Sequence, residues 1–149
     1  MKKLILIKIT CVLFLLCSCT RGEIEAQLSQ IILKEGEEES LKIDGEIIPV
    51  KLVYVINTFT EGIVEEKATT FYNSYNVTVS IGSDTLHFSP FFYRINGEPS
   101  KEKSWEDLSS RPEEFVKTFR SYQIGISNLY REPNPGPSHG YVVKLLIKK

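Results

Sequence analysis

A strict alternation of apolar and polar residues between Tyr75 and Phe88 constrains the fold of this chain more than any other feature. Apolar side chains recur at every second position up to Ile81, and Asn, Thr and Ser stand between them. Residues 82–84, Gly-Ser-Asp, then supply turn chemistry before Leu86 and Phe88 resume the alternation. A period of two places the apolar side chains on one face of a strand, so this stretch predicts an antiparallel hairpin with one buried face.

Other segments also have strand character. Residues 47–56 are apolar on both faces, which is typical of a strand in the middle of a packed structure. Residues 124–130 and 141–147 read as two further strands. We expect six to eight strands in all, which predicts a mainly β, antiparallel sandwich-like single domain, or a β-rich α+β fold.

One short helix is predicted over residues 111–122. Ser110 and Glu113 match a capping box, and Pro112 falls in the first turn, where its missing amide hydrogen costs little. The apolar residues 115, 116, 119 and 122 follow at helical spacing and would form one stripe facing the core.

The start of the domain predicts a second hairpin. We expect a strand that begins near Leu28, an acidic turn over residues 35–39, and a return strand through Leu41 and Ile43. This pair of strands resembles the opening hairpin of many immunoglobulin-like bacterial domains.

The first residues have the pattern of a secretory leader. Lys2 and Lys3 precede an apolar run over residues 4–16 that only Lys8 interrupts. A positive start, a core of 7 to 15 apolar residues and a small residue before the cut are typical of a signal peptide. The run falls short of the ~20 apolar residues that a membrane-spanning helix needs, so spanning is the weaker interpretation.

Residues 16–19, Leu-Cys-Ser-Cys, resemble the lipobox of bacterial lipoprotein precursors. The resemblance implies a thioether-linked diacylglycerol on Cys19, cleavage between Ser18 and Cys19, and acylation of the new amino terminus. Cleavage before Cys17 is an alternative, although Leu16 would then be a poor small residue. A second alternative is an ordinary secreted protein in which Cys19 is incidental.

The organisation predicted from the leader is a signal peptide over 1–18, a lipidated terminus and short tether over 19–27, and one globular domain over 28–149. All three cysteines precede Thr20, so the mature domain has neither an internal disulfide nor a thiol nucleophile. Removing the leader takes away three lysines and no acidic residue, which changes the net charge from −1 to −4. That sign disfavours nucleic acid and anionic lipid as partners.

The sequence contains no recognisable catalytic set. His87 is predicted on the wet face of its hairpin, and His139 lies in a proline-rich loop. No His-Glu-x-x-His, cysteine pair, calcium loop, nucleophile elbow or glycine-rich phosphate loop occurs. We therefore expect no enzyme activity, no cofactor and no metal site.

Aromatic residues are the strongest functional signal in the mature chain. Tyr and Trp outside a core are typical of surfaces that recognise proteins or sugars. We predict a partner-binding surface that includes Trp105, Tyr130 and Tyr93, with Trp105 standing out because its surroundings are polar. Asp84-Thr85-Leu86 is similar to an O-glycosylation sequon used by some bacteria on exported proteins, which makes Thr85 a candidate modification site.

The function expected from these features is that of a lipid-anchored envelope lipoprotein that serves as a non-catalytic binding or structural module for a protein or glycan partner. The alternative is a small envelope hydrolase, or an enzyme inhibitor, that acts on cell-wall or glycan material. Thr20 follows the anchor, so we expect the outer membrane and its periplasmic side, with the cell surface as the second location. The sequence leaves the oligomeric state open.

Overall fold

In a computed structural model, the chain forms two antiparallel sheets and two short helices, which confirms the predicted sandwich-like β fold. The structure describes residues 28–95, 100–132 and 140–149. The predicted signal peptide, the lipid attachment site at Cys19 and the tether lie outside these ranges.

Nine strands and two helices follow one another along the described chain. They are β1 (Ser29–Lys34), β2 (Glu38–Ile43), β3 (Glu46–Glu65), β4 (Ala68–Ile81), β5 (Asp84–Phe88), β6 (Phe91–Ile95), α1 (Trp105–Ser109), α2 (Pro112–Phe115), β7 (Val116–Phe119), β8 (Tyr122–Arg131) and β9 (Tyr141–Lys148). The first sheet has the order β1-β9-β8-β7. The second sheet has the order β2-β3-β4-β5, and β6 pairs with β4 beyond the end of β5.

The hairpin predicted from the alternation is confirmed, because β4 pairs antiparallel with β5 and Val79 lies opposite Leu86. The hairpin predicted for the start of the domain is wrong. β1 pairs with β9, while β2 pairs with β3 in the other sheet. The chain crosses between the sheets at Glu35 and Gly36, where Gly36 has a φ of 87° that other residues rarely adopt.

The helix predicted over residues 111–122 is wrong beyond Phe115. Residues 112–115 form one helical turn, and Val116–Phe119 is an edge strand that pairs with β8 through a tight turn. A strand that pairs with a neighbour gains ladder hydrogen bonds that outweigh the helical spacing of four apolar residues. The capping box lies earlier, where Ser104 and Asp107 cap α1, a helix that the sequence pattern did not predict.

The core lies between the two sheets. Alternate residues of each strand point inward, and the largest fully buried side chains come from both sheets and both helices. They are Phe88, Phe115, Leu33, Ile43, Leu52, Ile81, Leu108, Ile124, Ile126, Leu145, Ile147 and Val50.

Polar contacts join the two sheets at one end of the sandwich. Asp44, in the β2–β3 turn, accepts hydrogen bonds from the Tyr122 hydroxyl and from the Lys149 ammonium group, both at 2.8 Å. The bond from Lys149, and then that from Tyr122, lowers the pKa of Asp44 below its ordinary value. Arg120 forms an ion pair with Glu46 across the same end at 2.9 Å. The opposite end of the sandwich lies at Glu35, Arg131 and Tyr141.

Candidate functional site

The longest hairpin of the fold continues past the sandwich. Every residue of β3 from Ile56 to Glu65 is exposed, although β4 still pairs with β3 along this length. β4 pairs with β3 on one side of this region and with β6 on the other. We call this three-stranded extension, residues 57–65, 68–74 and 91–95, the arm.

Side-chain alternation sorts the arm into two faces. Asn73 and Phe92 are buried and continue the inner face of the sheet. Neighbours that pair across the three strands point to the same face, so the outer face can be assigned from the register. It carries six apolar or aromatic side chains, which we call the arm patch: Phe59, Ile63, Tyr72, Phe91, Tyr93 and Ile95.

The arm patch is unusually exposed for apolar side chains. Phe59 is 51% exposed, Tyr93 49%, Ile95 47% and Ile63 44%. The rings of Tyr72 and Phe91 stack with their centroids 5.8 Å apart. The six side chains leave on the order of 500 Å² of apolar surface, which matches the largest patch on a typical monomer. A patch of that size is typical of an interaction surface.

The backbone of the arm is also open at its edge. β2 pairs with β3 only up to Lys51, and β4 occupies the other side of β3. Among the described residues, no strand pairs with the outer edge of β3 from Val53 to Glu65. A long apolar edge strand is a ready template for pairing with another chain.

A polar network fixes the shape of the arm where it leaves the sandwich. The register of β3 shifts between Asn57 and Phe59, and the Asn57 Oδ1 atom accepts a hydrogen bond from the Phe59 amide at 3.1 Å. The Thr60 hydroxyl donates to the Asn73 Oδ1 atom at 2.9 Å. This bulge increases the local twist and turns Phe59 onto the outer face.

The structure places the three aromatic residues predicted for partner binding on different surfaces. Tyr93 belongs to the arm patch. Tyr130 is half-buried in β8 and lies opposite Val142, on the face of the first sheet that points away from the core. Trp105 is half-buried in α1 and packs beside Gly125 of β8. Phe59 and Ile63 also belong to the arm patch. The sequence did not predict them as binding residues, because the bulge that precedes them interrupts the alternation of apolar and polar side chains.

Two other residues named from the sequence, Thr85 and His87, lie on β5. Thr85 lies at the start of β5, next to the Gly82–Ser83 turn, and is exposed. His87 is exposed, and its Nδ1 atom lies 3.0 Å from the Thr78 hydroxyl. His139 lies outside the described residues.

A groove opens at the end of the sandwich opposite the Asp44 contacts. Its volume is about 440 Å³, and we call it the end groove. Glu35, Tyr141 and Arg131 line it from the first sheet, and residues 54–57 line it from the edge of β3. The Tyr141 ring meets Tyr75 edge to face, with centroids 6.3 Å apart. Burial raises the pKa of the Tyr75 phenol above its ordinary value.

A second, smaller groove of about 220 Å³ lies beside β6. Its lining combines Phe92 and Tyr93 with charged residues of the segment before α1. In the described ranges, neither groove is lined by a histidine. No group of three His, Cys, Asp or Glu residues in these ranges is arranged to hold a metal ion.

Comparison with known proteins finds no matching family model, no matching curated protein and no matching solved structure. Within the described part of the chain, no helix is both long and apolar enough to cross a membrane. The functional assignment therefore rests on this chain's own residues. The class that the fold defines is an antiparallel β-sandwich with a projecting three-stranded arm.

Proposed function

We propose that this chain is a lipid-anchored envelope protein that binds a protein partner through the arm patch and has no catalytic role. The single observation that supports this function best is the exposed apolar surface on an arm whose strand edge is open. Apolar side chains flanking an unpaired edge favour a protein partner over a glycan, because a strand of the partner can continue the sheet.

The lipid anchor is proposed from the leader and its lipobox. Two or three acyl chains give stable membrane attachment, whereas one chain alone is marginal. The anchor would hold the sandwich at the outer membrane, on the periplasmic side, and the arm would reach a partner in the same compartment. The cell surface is the second location to test, and Thr85 is the proposed glycosylation site in either case.

The anchor predicts a sharp difference between two neighbouring cysteines. In cells grown with a labelled fatty acid, Cys19→Ser is expected to abolish labelling of the protein, and Cys17→Ser is expected to retain it. The physical reason is that only the cysteine at the cut receives the diacylglycerol. Labelling lost in Cys17→Ser alone would move the cut to Cys17. An unlabelled wild type would contradict the anchor.

The arm patch predicts which substitutions abolish partner binding. In a crosslinking pull-down from solubilised envelope, Phe59→Ala and Tyr93→Ala are each expected to reduce recovery of a protease-sensitive partner at least tenfold. Large aromatic side chains at the centre of an interface typically contribute 2 kcal/mol or more. Ile47→Ala is the matched control, because Ile47 is 74% exposed but lies outside the arm.

Two further variants distinguish the arm from the first sheet. Trp105→Ala and Tyr130→Ala are expected to recover the partner as the wild type does. If these two lose the partner and the arm variants keep it, the binding surface lies on the first sheet instead. Recovery that is the same for all variants would contradict the proposed surface.

A further inference from the structure

The end groove contains two opposite charges placed symmetrically about one aromatic ring. Glu35 donates its backbone amide to the Tyr141 carbonyl at 3.0 Å, and Arg131 lies opposite Tyr141 in the β8–β9 ladder. The three residues therefore form one row, with Glu35 directly after the end of β1 and the other two in β9 and β8. Since neighbouring strands are about 4.8 Å apart, the Glu35 and Arg131 backbones are separated by roughly 10 Å.

The row lies at the mouth of the sandwich, on the inner face of its sheet. Leu33, Val143 and Leu129 form the preceding inward-facing row, and all three are buried. Two positions closer to the end of the sandwich, the same face carries Glu35, Tyr141 and Arg131. Charged side chains therefore replace apolar ones at this end.

Glu35 is the residue that points most directly to a ligand. It lies at the crossing between the sheets, where its backbone bridges to Leu52 of β3. Glu35 is only 8% exposed, and its Oε2 atom is buried without a hydrogen-bond partner. A buried carboxylate oxygen without a partner costs free energy, which a bound cation would recover.

Arg131 provides the opposite charge on the other side of the ring. Its guanidinium carbon lies 5.8 Å from the centre of the Tyr141 ring. A guanidinium carries five N–H donors, so it can bind a carboxylate in addition to the contacts that it already makes.

We propose that the end groove binds a small zwitterionic ligand whose ammonium group is held by Glu35 and whose carboxylate is held by Arg131. An alkyl chain between the two charges would lie along Tyr141. The groove volume of about 440 Å³ is sufficient for a ligand of this size. The groove shares residues 54–57 with the open edge of β3 but none of its lining with the arm patch, so Phe59→Ala and Tyr93→Ala test partner binding without changing a groove residue.

The proposal can be tested with three probes that differ in one charge at a time. Nα-acetyl-lysine carries one ammonium group and one carboxylate. Nα-acetyl-lysine amide lacks the carboxylate, and Nα,Nε-diacetyl-lysine lacks the ammonium group. In ligand-detected NMR titrations of the purified full chain in detergent, we expect the first probe to bind at least tenfold more tightly than the other two.

Substitutions in the groove should remove the same discrimination. Glu35→Gln is expected to reduce the affinity for Nα-acetyl-lysine at least tenfold. Its affinity for the diacetylated probe should equal that of the wild type. Arg131→Gln should instead bind Nα-acetyl-lysine and Nα-acetyl-lysine amide with the same affinity. Glu37→Gln is the matched control, because Glu37 is an exposed carboxylate two residues away. Gln has nearly the shape of Glu and no charge to bury, so Glu35→Gln should remain folded.

Three results would overturn the proposal. The first is that Nα-acetyl-lysine shows no binding up to its solubility limit. The second is that the diacetylated probe binds the wild type as tightly as Nα-acetyl-lysine does. The third is that both Glu35→Gln and Arg131→Gln bind Nα-acetyl-lysine with unchanged affinity.

Discussion

A Phe115→Ala variant is expected to be less stable than the wild type by about 3 to 5 kcal/mol in the free energy of unfolding. Phe115 ends α2 and is 1% exposed. Its ring meets Phe92 edge to face at 5.7 Å, and the Lys103 ammonium lies 5.0 Å from its centre. Truncation would leave a cavity where β6 meets the segment leading into β7, and the surrounding strands cannot collapse to fill it.

Urea unfolding followed by tyrosine fluorescence measures this loss. Phe59→Ala is the matched control, because it removes the same ring from a position that is 51% exposed. We expect the control to change stability by less than about 1 kcal/mol. A loss below about 1 kcal/mol for Phe115→Ala would contradict the packing described for this ring.

The second large effect is expected at Gly125, where alanine should destabilise the domain by about 1 to 3 kcal/mol. A Cβ atom added there would lie 2.6 Å from the Leu108 Cδ1 atom and 3.2 Å from the Trp105 ring. Leu108 is completely buried, so its side chain has little room to move away. Gly125 does not have a positive φ, and close packing of α1 therefore accounts for the glycine better than backbone strain does.

A double-mutant cycle isolates this contact. Leu108→Ala alone is expected to cost about 2 to 5 kcal/mol, and the double variant should cost at least ~1 kcal/mol less than the two single losses added together. Removing the Leu108 methyl groups provides the space that the new Cβ atom needs. Gly62→Ala is a control, because its nearest neighbour is the half-exposed Phe71 ring at 3.1 Å. Strict additivity at Gly125 and Leu108 would argue against the contact.

The strands that were predicted well are those in which local pattern and tertiary environment agree. Tyr75–Ile81 alternates because one face packs on the opposite sheet and the other carries polar side chains, of which Asn76 is exposed and Thr78 is buried beside His87. A period of two is therefore visible in the residues themselves. Residues 47–56 are apolar on both faces, yet Tyr54 and Ile56 are exposed on the outer face. The same apolar run occurs in buried and in exposed strands, since the residue types do not show whether another element packs on that face.

The segment after Ser104 shows where local signals compete. Ser104 and Asp107 cap a helix of five residues, whereas Ser110 and Glu113 present a similar pattern that the fold does not use. Helical spacing from Phe115 to Phe119 is equally compatible with a turn followed by a short strand. Pairing with β8 decides between them, and β8 is supplied by residues that follow in the chain.

The candidate sites depend still more on tertiary structure. The arm patch combines residues from three strands, and the end groove places Glu35 and Arg131, which are far apart in the chain, on one row. Tyr93 was predicted as a binding residue from its chemistry, whereas Glu35 was predicted only as part of an acidic turn. Its burial follows from the crossing between the sheets.

The sequence by itself determined that the described chain is mainly β, because alternation and turn residues act over a few neighbours and are visible in the residues alone. It also supplied the apolar run over residues 4–16 and the lipobox-like residues 16–19, on which the proposed anchor depends. Only the tertiary structure decided which strands pair, where β3 extends past the sandwich, and that Glu35 and Arg131 lie on either side of Tyr141 in the end groove. These features arise from contacts between residues distant in the chain, and their free energies depend on what each side chain finds opposite it.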